Sequence, residues 1–104
     1  MKIEGDTIVF KSWPHNYAVE KSGKKPCTVR VIPSSELSNE LYSFLEENFD
    51  YNGVANAEPK IRIVRTGENP AEFERQLLYA DEIGDLAGSN IYLFCWRHEE
   101  ANEE

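Results

Sequence analysis

Gly23, Lys25, Thr28 and Arg30 bring a turn residue, a cation, a hydroxyl and a planar guanidinium into the short segment Ser22-Gly23-Lys24-Lys25-Pro26-Cys27-Thr28-Val29-Arg30. Gly23 can take the left-handed conformation that ends a helical turn, while Pro26 fixes its own φ and biases Lys25 towards extended backbone. The chain therefore leaves the turn as a strand. Alternation along that strand puts Cys27, Val29 and Val31 on one face and Thr28, Arg30 and Ile32 on the other. Thr28 and Arg30 are neighbours by geometry, and Lys25 joins them if the chain bends at Pro26. Such a set can hold an anion or a polar base edge: Arg30 offers a fork, Lys24 and Lys25 offer charge, and Trp13 or Tyr17 offers a ring for a base to stack on.

The charge balance restricts what this segment can bind. The chain of 104 residues carries a net charge of −8, which argues against broad affinity for nucleic acid, since that affinity comes from neutralising many phosphates. The charge is uneven, however: residues 1–32 hold six basic and three acidic side chains, a balance of +3, and the remainder carries −11. A small basic pocket on an acidic body suits a nucleotide, a single-stranded end or a small anion better than a long duplex.

The remaining composition is that of one ordinary globular domain, with 40% hydrophobic and 12% aromatic residues. We expect a single domain over residues 1–98 and a disordered acidic tail over 99–104. No apolar run approaches the roughly 18 residues that span a bilayer, and the first ten lack a signal-peptide core, so no membrane partner and a cytoplasmic location are expected. Cys27 and Cys95 each lie in an apolar strand-like run and read as small hydrophobes, bridged only if their strands are neighbours. His15 and His98 are isolated, so neither a metal nor another cofactor is expected.

Several elements must position the segment. Residues 7–11 read as a strand, followed by a short helix that Ser12 caps and Pro14 opens. The motif strand spans 26–32. Pro33-Ser34-Ser35 then break it and cap a longer helix, whose apolar stripe is Leu37, Leu41, Phe44, Leu45 and Phe49. Residues 50–59 read as a loop and 60–65 as an alternating strand. After the turn at Thr66-Gly67-Glu68-Asn69-Pro70, residues 72–80 return as an antiparallel partner strand. Residues 81–88 read as a turn or short helical segment, and 91–97 as the strongest strand, placed centrally. Short strands with two helices between the first and third predict an α+β fold, a small mixed β-barrel with two covering helices.

Gly23, Lys25, Thr28 and Arg30, following a first strand and a helix that opens at Ser12-Trp13-Pro14, resemble the G-x-K-x-x-T-x-R signature of ASCH domains in the PUA-like superfamily. The resemblance implies a small β-barrel with the motif at the edge of a cleft, and a ligand that is RNA, single-stranded nucleic acid, a nucleotide or a modified nucleoside. It also implies an alternative, because some members are small amidohydrolases that deacylate modified cytidine with lysine, threonine and glutamate. On that alternative Lys25 and Thr28 are catalytic, Thr28 supplying the nucleophilic hydroxyl; Glu72 and Glu74 are the candidate carboxylates, both at the start of a strand. The chain departs from the family after the arginine, where Pro33 and a helix replace a Gly-Asp turn. A further class, an acidic protein-interaction module of the accessory, phage-like kind, fits the overall charge and leaves a protein partner open.

Overall fold

The computed structural model describes residues 1–36 and 38–98. Its elements, in chain order, are β1 (Lys2–Glu4), β2 (Thr7–Ser12), α1 (Pro14–Ser22), β3 (Cys27–Pro33), α2 (Asn39–Asn48), β4 (Lys60–Arg65), β5 (Ala71–Leu86) and β6 (Ser89–Trp96). The protein is a small compact α+β fold in which a six-stranded mixed sheet, ordered β1-β2-β4-β5-β6-β3, carries two helices. Only β2 and β4 run parallel, with Ile8 opposite Ile61 and Phe10 opposite Ile63; the other pairs are antiparallel. No ladder joins the end strands β1 and β3, so the sheet is open where the sequence led us to expect a closed barrel.

Strand alternation decides what is buried. On β3, Thr28 and Ile32 are buried and Arg30 is half-buried on the inner face, while Val29 and Val31 are exposed on the outer one. On β6 the inner residues are Tyr92, Phe94 and Trp96. Ile8, Ile61, Ile63, Leu77 and Phe94 are wholly enclosed at 0% exposure, and each is worth about 1.5–3 kcal/mol by removal from water. Phe10 packs on Phe94 with ring centres 5.2 Å apart, and Phe73 lies edge-on to Tyr17 at 5.3 Å.

The structure differs from the sequence expectation in several elements, each for a local reason. The hairpin strand β1 is added before β2; three residues with two charges carry little strand signal. Ser12 ends β2 rather than capping α1, and Trp13 takes the cap position without a side-chain bond. Strand β3 continues through Pro33, and the Ser34 amide donates to the Gly88 carbonyl (3.2 Å). Residues Ser34–Glu36 therefore form a single 3₁₀ turn, and Ser38 caps α2 by accepting from the Leu41 amide at 3.3 Å. Leu41, Phe44 and Phe49 of the expected stripe are buried and Leu45 packs against the same core, whereas Leu37 lies outside the described residues, as does the tail 99–104.

The largest correction concerns residues 81–88. Asp81, Glu82, Gly84 and Asp85 give the composition of a turn, yet β5 runs on to Leu86 because β6 pairs with it the whole way. Irregularities at Leu77/Tyr79 and Glu82/Gly84 let this 16-residue strand bend, so its first part pairs with β4 and its remainder with β6. Among the described residues, no helix is long and apolar enough to cross a membrane, and no cluster of His, Cys, Asp and Glu is arranged to hold a metal.

Cys27 and Cys95 are direct cross-strand partners between β3 and β6, and both are free thiols. Burial, with Cys27 alongside, pushes the Cys95 thiol up to about 12. An unfolded cysteine ionises near pH 8.5, so the unfolded chain loses this proton first. The contribution to stability is intact below pH 8.5 and declines as pH rises towards 12. At pH 8 we expect iodoacetamide to modify native Cys95 at least about tenfold more slowly than Cys95 in urea; equal rates would contradict the burial.

Candidate functional site

The site forms where the end of β2, helix α1 and strand β3 meet. Pro14 starts α1 directly after β2, and Gly23, at φ +84°, stops it with its amide donating to the Glu20 carbonyl. The helix folds back across the strand end and brings Glu20, in its last turns, against Ser12. The Ser12 hydroxyl donates to Glu20 Oε1 at 2.9 Å. Both side chains are buried, Glu20 at 3% exposure.

A buried carboxylate needs a counter-charge, and Arg30 supplies it from the inner face of β3. Its Nη2 donates to Ser12 Oγ (2.7 Å) and lies 3.6 Å from Glu20 Oε2. Its Nη1 donates to the Lys11 carbonyl (2.7 Å), and Nε donates to Thr28 Oγ1 (3.0 Å). The guanidinium also sits over the Phe10 ring, 4.8 Å from its centre. Burial pulls the Arg30 guanidinium below its usual value and Glu20 opposes that shift; arginine stays charged at neutral pH all the same. Arg30 thus bridges β3 to the end of β2 while fixing Ser12, Glu20 and Thr28 in one network.

Above this network opens a cleft of about 240 Å3. Lys25, Thr28 and Arg30 line it from the motif, with Glu20, Trp13 and Asn16 from α1 and its start. Lys25 lies ahead of β3, which begins at Cys27, and lines the same cleft as Thr28. The Lys25 side chain has no hydrogen bond or ion pair with any described residue. Thr28 accepts from Arg30, and no described side chain or carbonyl takes its proton. Trp13, which lines the cleft, is 73% exposed.

Other residues singled out by the sequence lie elsewhere. Gly23 and Lys24 are outside the cleft lining. A side chain at Gly23 would meet the His98 ring at 2.0 Å, so the glycine serves the turn and the packing of that histidine. Tyr17 is a core residue at 4% exposure, wedged between Phe73 and the Arg65 guanidinium, and offers no face to a ligand. Glu72 and Glu74 lie on β5 around Arg62, and neither lines the cleft beside Thr28. Glu20 and Ser12 are the residues that sequence reading did not find. The available signal was a lone acid, Glu20, among Lys21, Lys24, Lys25 and Arg30.

No family model matches the chain, no curated protein matches it, and no solved structure matches it. The site must therefore be read from its own chemistry.

Tyr17 provides an internal check on the burial. Its hydroxyl is enclosed with no hydrogen-bond partner among the described residues, and burial pushes its ionisation above the usual tyrosine value, with Arg65 pulling the other way. Removing an unsatisfied buried hydroxyl recovers part of its desolvation cost, about 1–3 kcal/mol. Tyr17→Phe is expected to leave the melting temperature unchanged or raise it by a few degrees; a clear fall would show that the hydroxyl has a partner.

Proposed function

We propose that the chain is an ASCH-like domain with a PUA-type barrel, and that its cleft binds a single base or nucleoside of RNA, of another single-stranded nucleic acid or of a free nucleotide. Binding occurs without catalysis. The observation that carries the reading is that an exposed indole, Trp13, and a cation without an ion pair to a described residue, Lys25, line one cleft whose floor is fixed by the Arg30 network. A base stacks on Trp13, its polar edge meets the Thr28 hydroxyl, and Lys25 takes the phosphate or a carbonyl oxygen. At about 240 Å3, the cleft is smaller than the roughly 300 Å3 at which drug-sized sites begin. One base fits and a run of stacked bases does not. The barrel reading is supported by the Arg30 bond to the Lys11 carbonyl, which ties the end strand β3 to β2, a strand with which it shares no ladder.

Arg30 has a different part in this account from a free phosphate fork. Nε, Nη1 and Nη2 each bond to the protein, so Arg30 shapes the floor, and among the lining residues Lys25 and Lys11 are the cations without an ion pair to a described residue. The same residues favour binding over hydrolysis. An amidohydrolase would need the Thr28 hydroxyl to attack an acyl carbonyl while a base takes its proton. Glu20, which lines the cleft, is the one observation in favour of that second reading. Its oxygens, however, accept from Ser12 and face Arg30, and Arg30 lies between it and Thr28.

Calorimetric titration with nucleosides, nucleotides, and short RNA and DNA single strands tests the proposal. We expect a mononucleotide to bind nearly as tightly as an oligomer, and Lys25→Ala to weaken both. Affinity that climbs steeply with strand length would contradict a one-base site. Incubation with N4-acetylcytidine separates the second reading: binding alone leaves the ligand intact, whereas release of cytidine that is lost in Glu20→Gln would make the protein an enzyme.

A further inference from the structure

A second concavity, of about 520 Å3, lies on α2, the loop after it, and the middle of β5 and β6. Its floor is apolar and aromatic, built from Leu45, Phe49 and the buried Tyr92. Tyr42 and Tyr51 stand at its rim, 48% and 100% exposed. Four carboxylates, Glu46, Asp50, Asp81 and Glu82, share the same lining, and no lysine or arginine does. We propose that this groove docks an arginine side chain presented by a basic peptide segment of a partner protein.

Charge complementarity selects the occupant. None of the four carboxylates forms an ion pair with a described residue; their bonds go to neutral groups, as Asp50 accepts from the Asn52 and Val54 amides and Glu82 accepts from the Asn90 side chain. No lysine or arginine of the chain lines the groove, and several are paired elsewhere: Arg62 is surrounded by Glu4, Glu72 and Glu74, Arg30 faces Glu20, and Lys60 faces Asp6. The groove is therefore a field of like charge that only a cation from outside relieves. Tyr92 registers that field. Burial raises its ionisation most, Asn90 opposes, and Glu82 and Asp81 are among the groups that push it further up.

The geometry also distinguishes between cations. The carboxylates are too dispersed for a metal, since no three such groups among the described residues are arranged to hold one. A planar guanidinium fits better, because it can stack on a tyrosine face and fork to a carboxylate at once, which an ammonium cannot. The wall is pre-formed: the Ala80 amide donates to the Gly53 carbonyl at 2.9 Å, and a side chain at Gly53 would meet the Tyr79 ring at 2.8 Å. Little ordering is left to oppose binding.

The test is a heteronuclear NMR titration of the whole chain with the peptide acetyl-Gly-Arg-Gly-Arg-Gly-amide, following the amides of residues 46, 50–53 and 80–82. Counterparts carry citrulline or lysine in place of arginine. Expected are saturable shifts confined to this groove, with binding at least about tenfold weaker for the citrulline peptide and for the Glu46→Gln/Glu82→Gln double variant. Both substituted residues are exposed, so the fold should survive, and the citrulline control needs no variant at all. Lys25→Ala should leave this binding unchanged, which keeps the groove and the cleft separately testable. Absence of shifts at millimolar arginine peptide would overturn the proposal. So would equal binding of the arginine and citrulline peptides, or of the arginine peptide, the lysine peptide and spermidine, which would reduce it to counterion attraction.

Discussion

Arg30→Ala should lower the stability of the chain by about 3–5 kcal/mol, the cost of breaking a buried ion pair by removing one partner. The reason is what remains behind. Glu20 would stay at 3% exposure with its counter-charge gone, and the Lys11 carbonyl, Ser12 and Thr28 would each lose a donor. For a domain of this length, each kcal/mol moves the melting temperature by roughly 4–8 °C, so a fall of at least about 12 °C is expected. Arg30→Lys should restore only part of the loss, since an ammonium keeps the charge but cannot hold the three separate acceptors. Adding Glu20→Gln to Arg30→Ala should recover stability, because the uncompensated charge is then absent. A fall of only a few degrees in Arg30→Ala, or a double variant worse than the single, would mean that the network does not hold β3 to β2.

The second large effect is on binding. Trp13→Ala should weaken a nucleotide ligand by about 1–3 kcal/mol, the range for one base stacked on an aromatic ring, which is roughly 5–150-fold in Kd. Stability should scarcely change, as Trp13 is 73% exposed. Lys25→Ala should cost about tenfold for a nucleotide, in line with a charge-assisted contact of about 1.5 kcal/mol, and much less for an uncharged nucleoside. Salt gives an independent reading of the same contact. A single phosphate at Lys25 predicts a slope of about −0.7 in log K against log salt for a single strand. A slope several times steeper would place the ligand on a broad basic surface, which the chain's charge of −8 does not support.

Some parts of the structure have purely local causes. Thr28 and Arg30 share the inner face of β3 because alternation is a property of any strand, and Ile32 at 1% exposure shows which face is inward. The hairpin of β4 and β5 is marked by Gly67 and Pro70 between alternating runs. Glu20 was not legible because its role depends on where α1 lies after the chain reverses at Trp13 and Pro14; eight residues separate it from Ser12 in sequence and 2.9 Å in space. Residues 81–86 were misread for a related reason, since their polar composition is overridden by pairing with β6. Tyr17 and Trp13 illustrate the limit of residue type as a guide. Both are aromatic rings, four residues apart at the cap and in the first turns of α1, yet one is sealed beneath Arg65 and the other stands in solvent.

The central claim is that Trp13 and Lys25 form the walls of a one-base site, and tryptophan fluorescence addresses it most directly. The chain has two tryptophans, Trp13 in solvent and Trp96 buried at 3% exposure, so a ligand stacking in the cleft quenches one emitter and leaves the other. Titration with nucleotides and short single strands should give saturable quenching in the wild type. In Trp13→Phe the quenching should vanish while calorimetry still detects binding. Emission unchanged by every nucleoside, nucleotide and single strand would contradict the claim and leave Gly23 to Arg30 as a turn and strand that serve the fold alone.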